Sequence, residues 1–290
     1  MKSAIAGLKL VLHGAGPFNI TSKQMLEACL EMGVHYLDIN GDIAVFEKLK
    51  QYNIAGKQMN IMIMPGVGFD VVPTDCIALH LKQQLPDATH LKLAFVSIGS
   101  TLSHGTAITM AGKLGEGGAV RENGMIIRKP LGQHGMWVDF VETKQFVMSI
   151  PWGDISTAYF STGIPNIETY TGVAPKVYRY LKFQWAFNWL LRTSFIRNII
   201  RKKINSKPPG PGDEQRHNGK GYVWGEVHNS SGKFCNTCIS CPEGYMLTIH
   251  SSLIIARKVL EGNFKSGFQT PAAVYGTELI MEVPGTKRLK

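Results

Sequence analysis

Three short apolar runs near the start of the chain, 8-LKLVL-12, 34-VHYLDI-39 and 60-NIMIMP-65, are each followed by a turn and a stretch with helical periodicity. This alternation of strand and helix over residues 8–85 constrains the fold more than any other feature. Strands that are apolar on both faces need helices on both sides, which means a parallel sheet with right-handed crossovers. The first run ends in 14-GAGPF-18, a tight turn leading towards a helix from Ser22 to Met32, with Ser22 as N-cap and Gly33 as C-cap. A second helix is expected near Ile43 to Tyr52, and a third after 66-GVGFDVVPTDC-76, ending at Leu85. In an open sheet of this kind ligands bind at the carboxyl ends of the strands. Gly14 to Phe18, Asp38, Asn40, Gly66, Gly68 and Asp70 therefore share one expected crevice.

After Pro86-Asp87 the texture changes to alternating, Gly-rich strands at 91–98, 125–129, 138–141, 145–150 and 221–227. Helices near Gly105 to Leu114, Pro175 to Ile204 and Met246 to Leu260 would cover one face of a mixed or antiparallel sheet. The fold class expected is α/β plus α+β: a parallel-sheet unit over 1–88 and an α+β unit over 89–290, with 206–221 as a loop. A content of 44% hydrophobic and 18% charged residues argues for a packed chain rather than a disordered one.

The net charge of +10 is local: Lys176 to Lys207 holds nine Lys or Arg and no Asp or Glu. No nucleic-acid reader motif accompanies it, so nucleic acid is not expected as a partner. Phe195, Ile196, Ile199, Ile200 and Ile204 form one face of a helix that Ser194 could cap, with Arg197, Arg201 and Lys202 on the other side and Trp185, Phe187, Trp189 and Leu190 upstream. Two readings stay open: a helix on an anionic membrane surface or over a lipidic substrate, and a helix packed on its own sheet with a solvated basic face. Five cysteines, an odd number, point to reduced thiols in a cytoplasmic, or peripherally membrane-bound, protein. The run 235-CNTCISC-241 has the spacing of soft metal ligands but lacks a fourth, so three thiols on a strand and its turn are expected, with no metal. His13, His35, His104 and His250 show no ligand spacing.

Taken in order, 14-GAGPF-18, 35-HYLDINGD-42, 65-PGVGFDVVPTDC-76, 149-SIPWGDISTAYFSTGIPNIETY-170, 242-PEGY-245 and 267-GFQTPAAVYG-276 resemble the saccharopine dehydrogenase-like oxidoreductases, and within them the trans-acting enoyl reductases. The resemblance covers nearly the whole chain. It implies a Rossmann-like sheet in which the strand ending in GAGPF is the fourth, so that the glycine-rich turn for the pyrophosphate of NAD or NADP lies in a half not contained in this sequence. A late start, a split or degenerate gene product and a true minimal protein would each give such a chain. Binding of NADPH is accordingly expected to be weak, by about three orders of magnitude.

The resemblance further implies hydride transfer to a carbonyl, imine or enoyl group of a small-molecule or acyl substrate. That substrate would lie between the two units, and the second unit would also serve a homodimer. Gly14, Ala15, Gly16, Pro17 and Phe18 would line the nicotinamide end, with Asp38, Gly66, Gly68 and Asp70 beside them. Within 152–166, Asp154, Tyr159 and Ser161 could orient a carbonyl or supply a proton, although hydroxyls at turns usually bond local backbone. Asp75 reads more simply as a helix N-terminal charge. A non-catalytic chain that binds lipid or a partner through the α+β unit is the alternative.

Overall fold

The structure, a computed structural model, describes residues 2–101, 103–206 and 210–290. The side chain of Trp185, and Lys207 at the end of the basic run, lie outside the described residues. The chain opens with α1 (Lys2–Ile5) and continues through β1 (Leu10–His13), α2 (Phe18–Met32), β2 (His35–Asp38), α3 (Ile43–Lys50), α4 (Asn53–Gln58), β3 (Met62–Met64) and α5 (Val72–Gln84). The three strands are parallel and adjacent, with Leu10 opposite His35 and Tyr36 opposite Ile63. Helices α2 and α3 pack one face through Leu26, Cys29, Val45 and Leu49, while α5 packs the other.

Local signals set most of the boundaries. Gly33 closes α2 in the left-handed region at φ 68°, and the Val34 N–H turns back to the Cys29 carbonyl at 2.9 Å. Asp42 caps α3 by accepting from the Ala44 N–H at 2.9 Å. Ser22 does not cap α2. The helix starts four residues earlier, with the Pro17 carbonyl accepting from the Ile20 and Thr21 N–H groups, and Ser22 is buried within it. The proline carbonyl satisfies those early donors, so the serine is free to face the core.

The second part runs β4 (His90–Ile98), α6 (His104–Gly112), β5 (Gly118–Glu122), β6 (Met125–Lys129), β7 (Gly135–Asp139), β8 (Lys144–Ile150), α7 (Asp154–Thr162) and β9 (Asn166–Gly172). It continues with α8 (Pro175–Leu181), α9 (Asn188–Leu191), α10 (Ser194–Asn205), α11 (Asp213–Asn218), β10 (Lys220–His228), β11 (Phe234–Pro242), α12 (Gly244–Leu260), β12 (Gly267–Phe268), α13 (Pro271–Tyr275) and β13 (Lys287–Arg288). A mixed sheet has the order β13-β11-β10-β4-β9-β5-β6, with β8 beside β9 and β7 beside β8. Within it β4 and β9 are parallel, and the other pairings are antiparallel.

Helix α5 lies between the two sheets. Its Val72, Cys76, Ala78 and Leu81 share one core with Leu37, Met62 and Met64 of the parallel sheet and with Leu91, Leu93, Val223 and Ile239 of the mixed one. The sequence division at residue 88 leaves out one strand: β12 pairs in parallel with β3, so the late segment returns to the first sheet. Phe268 fills the core beneath α2 and α3, and its N–H donates to Asn53 Oδ1 at 3.0 Å. The 206–221 loop contains the short α11, and between the helix expected from Pro175 (α8) and the one capped near Ser194 (α10) lie a 3₁₀ turn at Gln184–Ala186 and the short α9. Among the described residues no helix is long and apolar enough to cross a membrane.

Candidate functional site

Strands β1, β2 and β3 end on one rim, and the residues there divide into those facing inward and those left open. Asp38 is fully buried and holds the rim together. It accepts from Tyr36 Oη at 2.7 Å, the Asn40 N–H at 3.0 Å and the Gly66 N–H at 3.0 Å. His13 Nδ1 lies 3.3 Å from the same Tyr36 hydroxyl, which joins β1 to the arrangement. Burial raises the Asp38 carboxyl and the hydrogen bonds pull it back.

Gly66 and Gly68 are also internal. Gly66 has φ 78°, and a Cβ there would meet Val71 Cγ2 at 2.6 Å; one at Gly68 would meet Thr248 Cγ2 at 2.9 Å. Both close approaches are to protein. Gly14, Ala15, Gly16 and Pro17 are exposed, Phe18 is half-buried against His13, and nothing lies within 4 Å of the place a Gly14 Cβ would take. Of the residues read as a cofactor cleft, the 14–18 turn and Asp70 therefore present free surface, while Asp38, Gly66 and Gly68 shape the rim from behind.

Three carboxyls gather where the rim meets α7. Asp70 is partly exposed and lies against Gly41, where a Cβ would sit 2.5 Å from its Oδ2; its side chain has no hydrogen-bond partner among the described residues. Desolvation pushes its carboxyl up to about 7. Trp152 Nε1–H donates to the Asp70 carbonyl at 3.0 Å and stacks its ring 4.9 Å from Phe95, so the mixed sheet supplies a wall. Asp154 is fully buried with Thr74 Oγ1 at 2.6 Å from Oδ1, while Oδ2 has no partner. Burial, with repulsion from Asp75 and Asp70, raises it well above the ordinary carboxylate range.

Asp75 accepts from Ser161 Oγ at 2.5 Å and from the Ala272 N–H at 2.8 Å, and burial takes it up to about 6. It ties α5, α7 and α13 together, a larger task than the helix-end charge expected of it.

Helix α7 explains why these groups meet and why Tyr159 stands apart. At 100° per residue Asp154 and Ser161 share a face, directed at α5, whereas Tyr159 lies on another. Tyr159 is covered by the Arg121 guanidinium, whose carbon is 4.0 Å from the ring centroid, and its hydroxyl is near Gly124 in the β5–β6 turn. Arg121 Nε donates to the Ile155 carbonyl at 2.7 Å, and its Nη2 faces Glu47 at 3.6 Å. No local pattern marks Arg121, because its partners come from 34 residues downstream and from α3. Asp154, Ser161 and Tyr159 therefore do not form one constellation.

The three cysteines of 235–241 are separated by the pleat of β11: Cys238 enters the core on one side of the sheet, while Cys235 and Cys241 pack on the other. All five thiols are free, and burial raises Cys238 and Cys241 to about 12. Among the described residues no three His, Cys, Asp or Glu are grouped for a metal. His35 Nδ1 accepts the Met62 N–H at 2.9 Å, a link between strands.

A parallel sheet with an open strand-end turn is joined through a buried helix to a mixed sheet covered by helices, an α/β architecture. The saccharopine dehydrogenase (L-Glu forming) of Saccharomyces cerevisiae shares this fold, with a TM-score of 0.64 at 10% identity over all of this chain and 86% of that one. A probable mitochondrial saccharopine dehydrogenase-like oxidoreductase of Arabidopsis thaliana is 32% identical over 32% of this chain. A lipid droplet localized protein of Caenorhabditis elegans is 27% identical over 42% of it. These matches span only 21% and 30% of those two relatives' own lengths. No family model matches the chain. Over about a third of its length the chain is similar, at low identity, to saccharopine dehydrogenase-like oxidoreductases.

Proposed function

We propose that the chain provides the nicotinamide end and the substrate wall of an NAD(P)-dependent oxidoreductase, with the 14–18 turn against the cofactor ring and Asp70 holding the proton that accompanies reduction. The observation that carries this is the pairing of an open turn at the end of β1 with a partnerless, partly exposed carboxyl in the loop between β3 and α5. The residues present fit the nicotinamide end: the space beside Gly14 is open, and the nearby carboxyl has no partner.

A bound nicotinamide would supply the hydride. The chain's own part is to bind and orient. Gly14 and Gly16 admit the ring against the backbone, Trp152 limits water on the far side, and Asp70 donates a proton to the carbonyl oxygen, imine nitrogen or enoyl carbon. Asp154 is buried behind it, its carboxyl raised by burial and by the neighbouring Asp75 and Asp70. A carbonyl, imine or enoyl acceptor, on a small molecule or an acyl chain, is the substrate class of this reading, with the trans-acting enoyl reductases as its narrowest form.

The test is oxidation of reduced nicotinamide mononucleotide, at millimolar concentration, by a panel of carbonyl, imine and enoyl acceptors. Turnover with one class is expected, falling at least 10-fold in Asp70→Asn. Because the protonated carboxyl is the active form, the wild-type rate should fall as pH rises through about 7. No turnover with any class, or an Asp70→Asn enzyme with the wild-type rate and pH profile, would contradict the proposal.

A further inference from the structure

Within the basic run, α8 packs on the mixed sheet through Tyr178, against Phe146, Met148 and Ile150 of β8. Helix α10 packs on α6 instead, where His104 Nε2 meets Asn205 Oδ1 at 2.8 Å. Thr193, one residue before the expected cap, accepts from the Ile196 N–H. Arg197, expected on the solvated face, turns partly inward together with Arg192, because the Gly-rich 112–117 segment leaves carbonyls that need donors. Arg192 Nε donates to the Gly115 carbonyl at 2.8 Å and Arg197 Nη2 to the Leu114 carbonyl at 2.7 Å. That rotation leaves large side chains in water: Tyr180 is 79% exposed, Phe195 72%, Trp189 71% and Phe183 64%, with Phe187 and Ile199 about half or more exposed.

Soluble chains rarely leave so many aromatic groups uncovered on consecutive elements. The charge around them is of one sign. No acidic residue occurs between Glu168 and Asp213, and among the described basic residues of the run only Arg197 lies within ion-pair distance of a carboxylate, Glu116 at 3.1 Å. Lys176, Arg179, Lys182, Arg201, Lys202 and Lys203 are thus free to meet an external anion. Exposed aromatics flanked by unpaired cations are what an interfacial helix needs, with rings among the headgroups and cations against acidic lipid.

We propose that α8, α9 and α10 form a docking surface for an anionic phospholipid membrane. The surface is joined to the catalytic rim: the segment that Arg192 and Arg197 grip continues from Lys113, whose Nζ pairs with Asp42 Oδ2 at 2.8 Å at the end of β2. Docking there brings the rim to the lipid, although the docking itself does not depend on the oxidoreductase reading.

The test is co-sedimentation of the whole chain with vesicles of phosphatidylcholine, with and without 30% phosphatidylserine, at low and high salt. Binding should require the acidic lipid and weaken at least 10-fold between roughly 50 and 500 mM salt, as the screening length shortens. The double variant Trp189→Ala/Phe195→Ala and the double variant Lys202→Gln/Lys203→Gln should each lose at least 10-fold in binding. Both change exposed side chains, so thermal melts should match the wild type. Absence of binding by the folded chain, equal binding to neutral vesicles, or variants that bind like the wild type would each overturn the proposal. So would a concentration-dependent dimer that the aromatic variant abolishes, which would assign the surface to a second copy.

Discussion

Asp75 and Asp154 are carboxyls that folding moves into a low-dielectric layer, and their protons should be visible in stability. Burial holds Asp75 up at about 6 in the folded chain and raises Asp154 well above the ordinary carboxylate range, whereas unfolded aspartates release their protons near pH 4. The folded state therefore binds more protons than the unfolded one across that window, and stability declines as pH rises through it. For Asp75 the decline runs from about pH 4 to 6 and amounts to about 3 kcal/mol, retained in full only below it. Asp154→Asn, which keeps the shape without the ionisable proton, should be at least as stable as the wild type at pH 7.5 and lose less between pH 4.5 and 7.5. Urea unfolding at several pH values checks this, and a wild-type stability that rises with pH would contradict it. The sequence marks Asp154 and Ser161 as a pair of interest but not what they bond. Thr74, Asp75 and Thr270 are 80 to 109 residues distant, beyond the reach of any local pattern.

Turns and helices show where local patterns suffice. A strand buried on both faces is a continuous apolar run, so β1, β2 and β3 are legible at once; α7 is not, because Asp154, Ser156, Thr157 and Thr162 are buried polar residues that hide its period. β12, two residues long, carries no period at all. The basic helices are legible as amphipathic, but which side faces outward depends on carbonyls of the 112–117 segment. The glycines of the rim also differ in a way that spacing does not reveal. Gly66→Ala, forced to a positive φ and against Val71, should cost about 2 kcal/mol or more. Gly14→Ala, with open space around it, should change stability by less than about 0.5 kcal/mol. Thermal melts of the two variants separate a glycine kept for packing from one whose bareness serves a ligand; equal costs would contradict that division.

At the scale of the whole molecule, α5 locks two sheets into one body, and the strand ends, the Trp152 wall and the segment held by the basic helices converge at the mouth between them. The central claim is that this rim takes a nicotinamide ring at the 14–18 turn. Backbone amide shifts of the isotopically labelled chain, followed during titration with reduced nicotinamide mononucleotide, test it most directly. The account requires saturable shifts concentrated at residues 14–18 and 66–70, with Gly14→Leu weakening the interaction at least 10-fold while the remaining spectrum stays native. Shifts confined to other surfaces, or a Gly14→Leu chain that binds as tightly as the wild type, would contradict it.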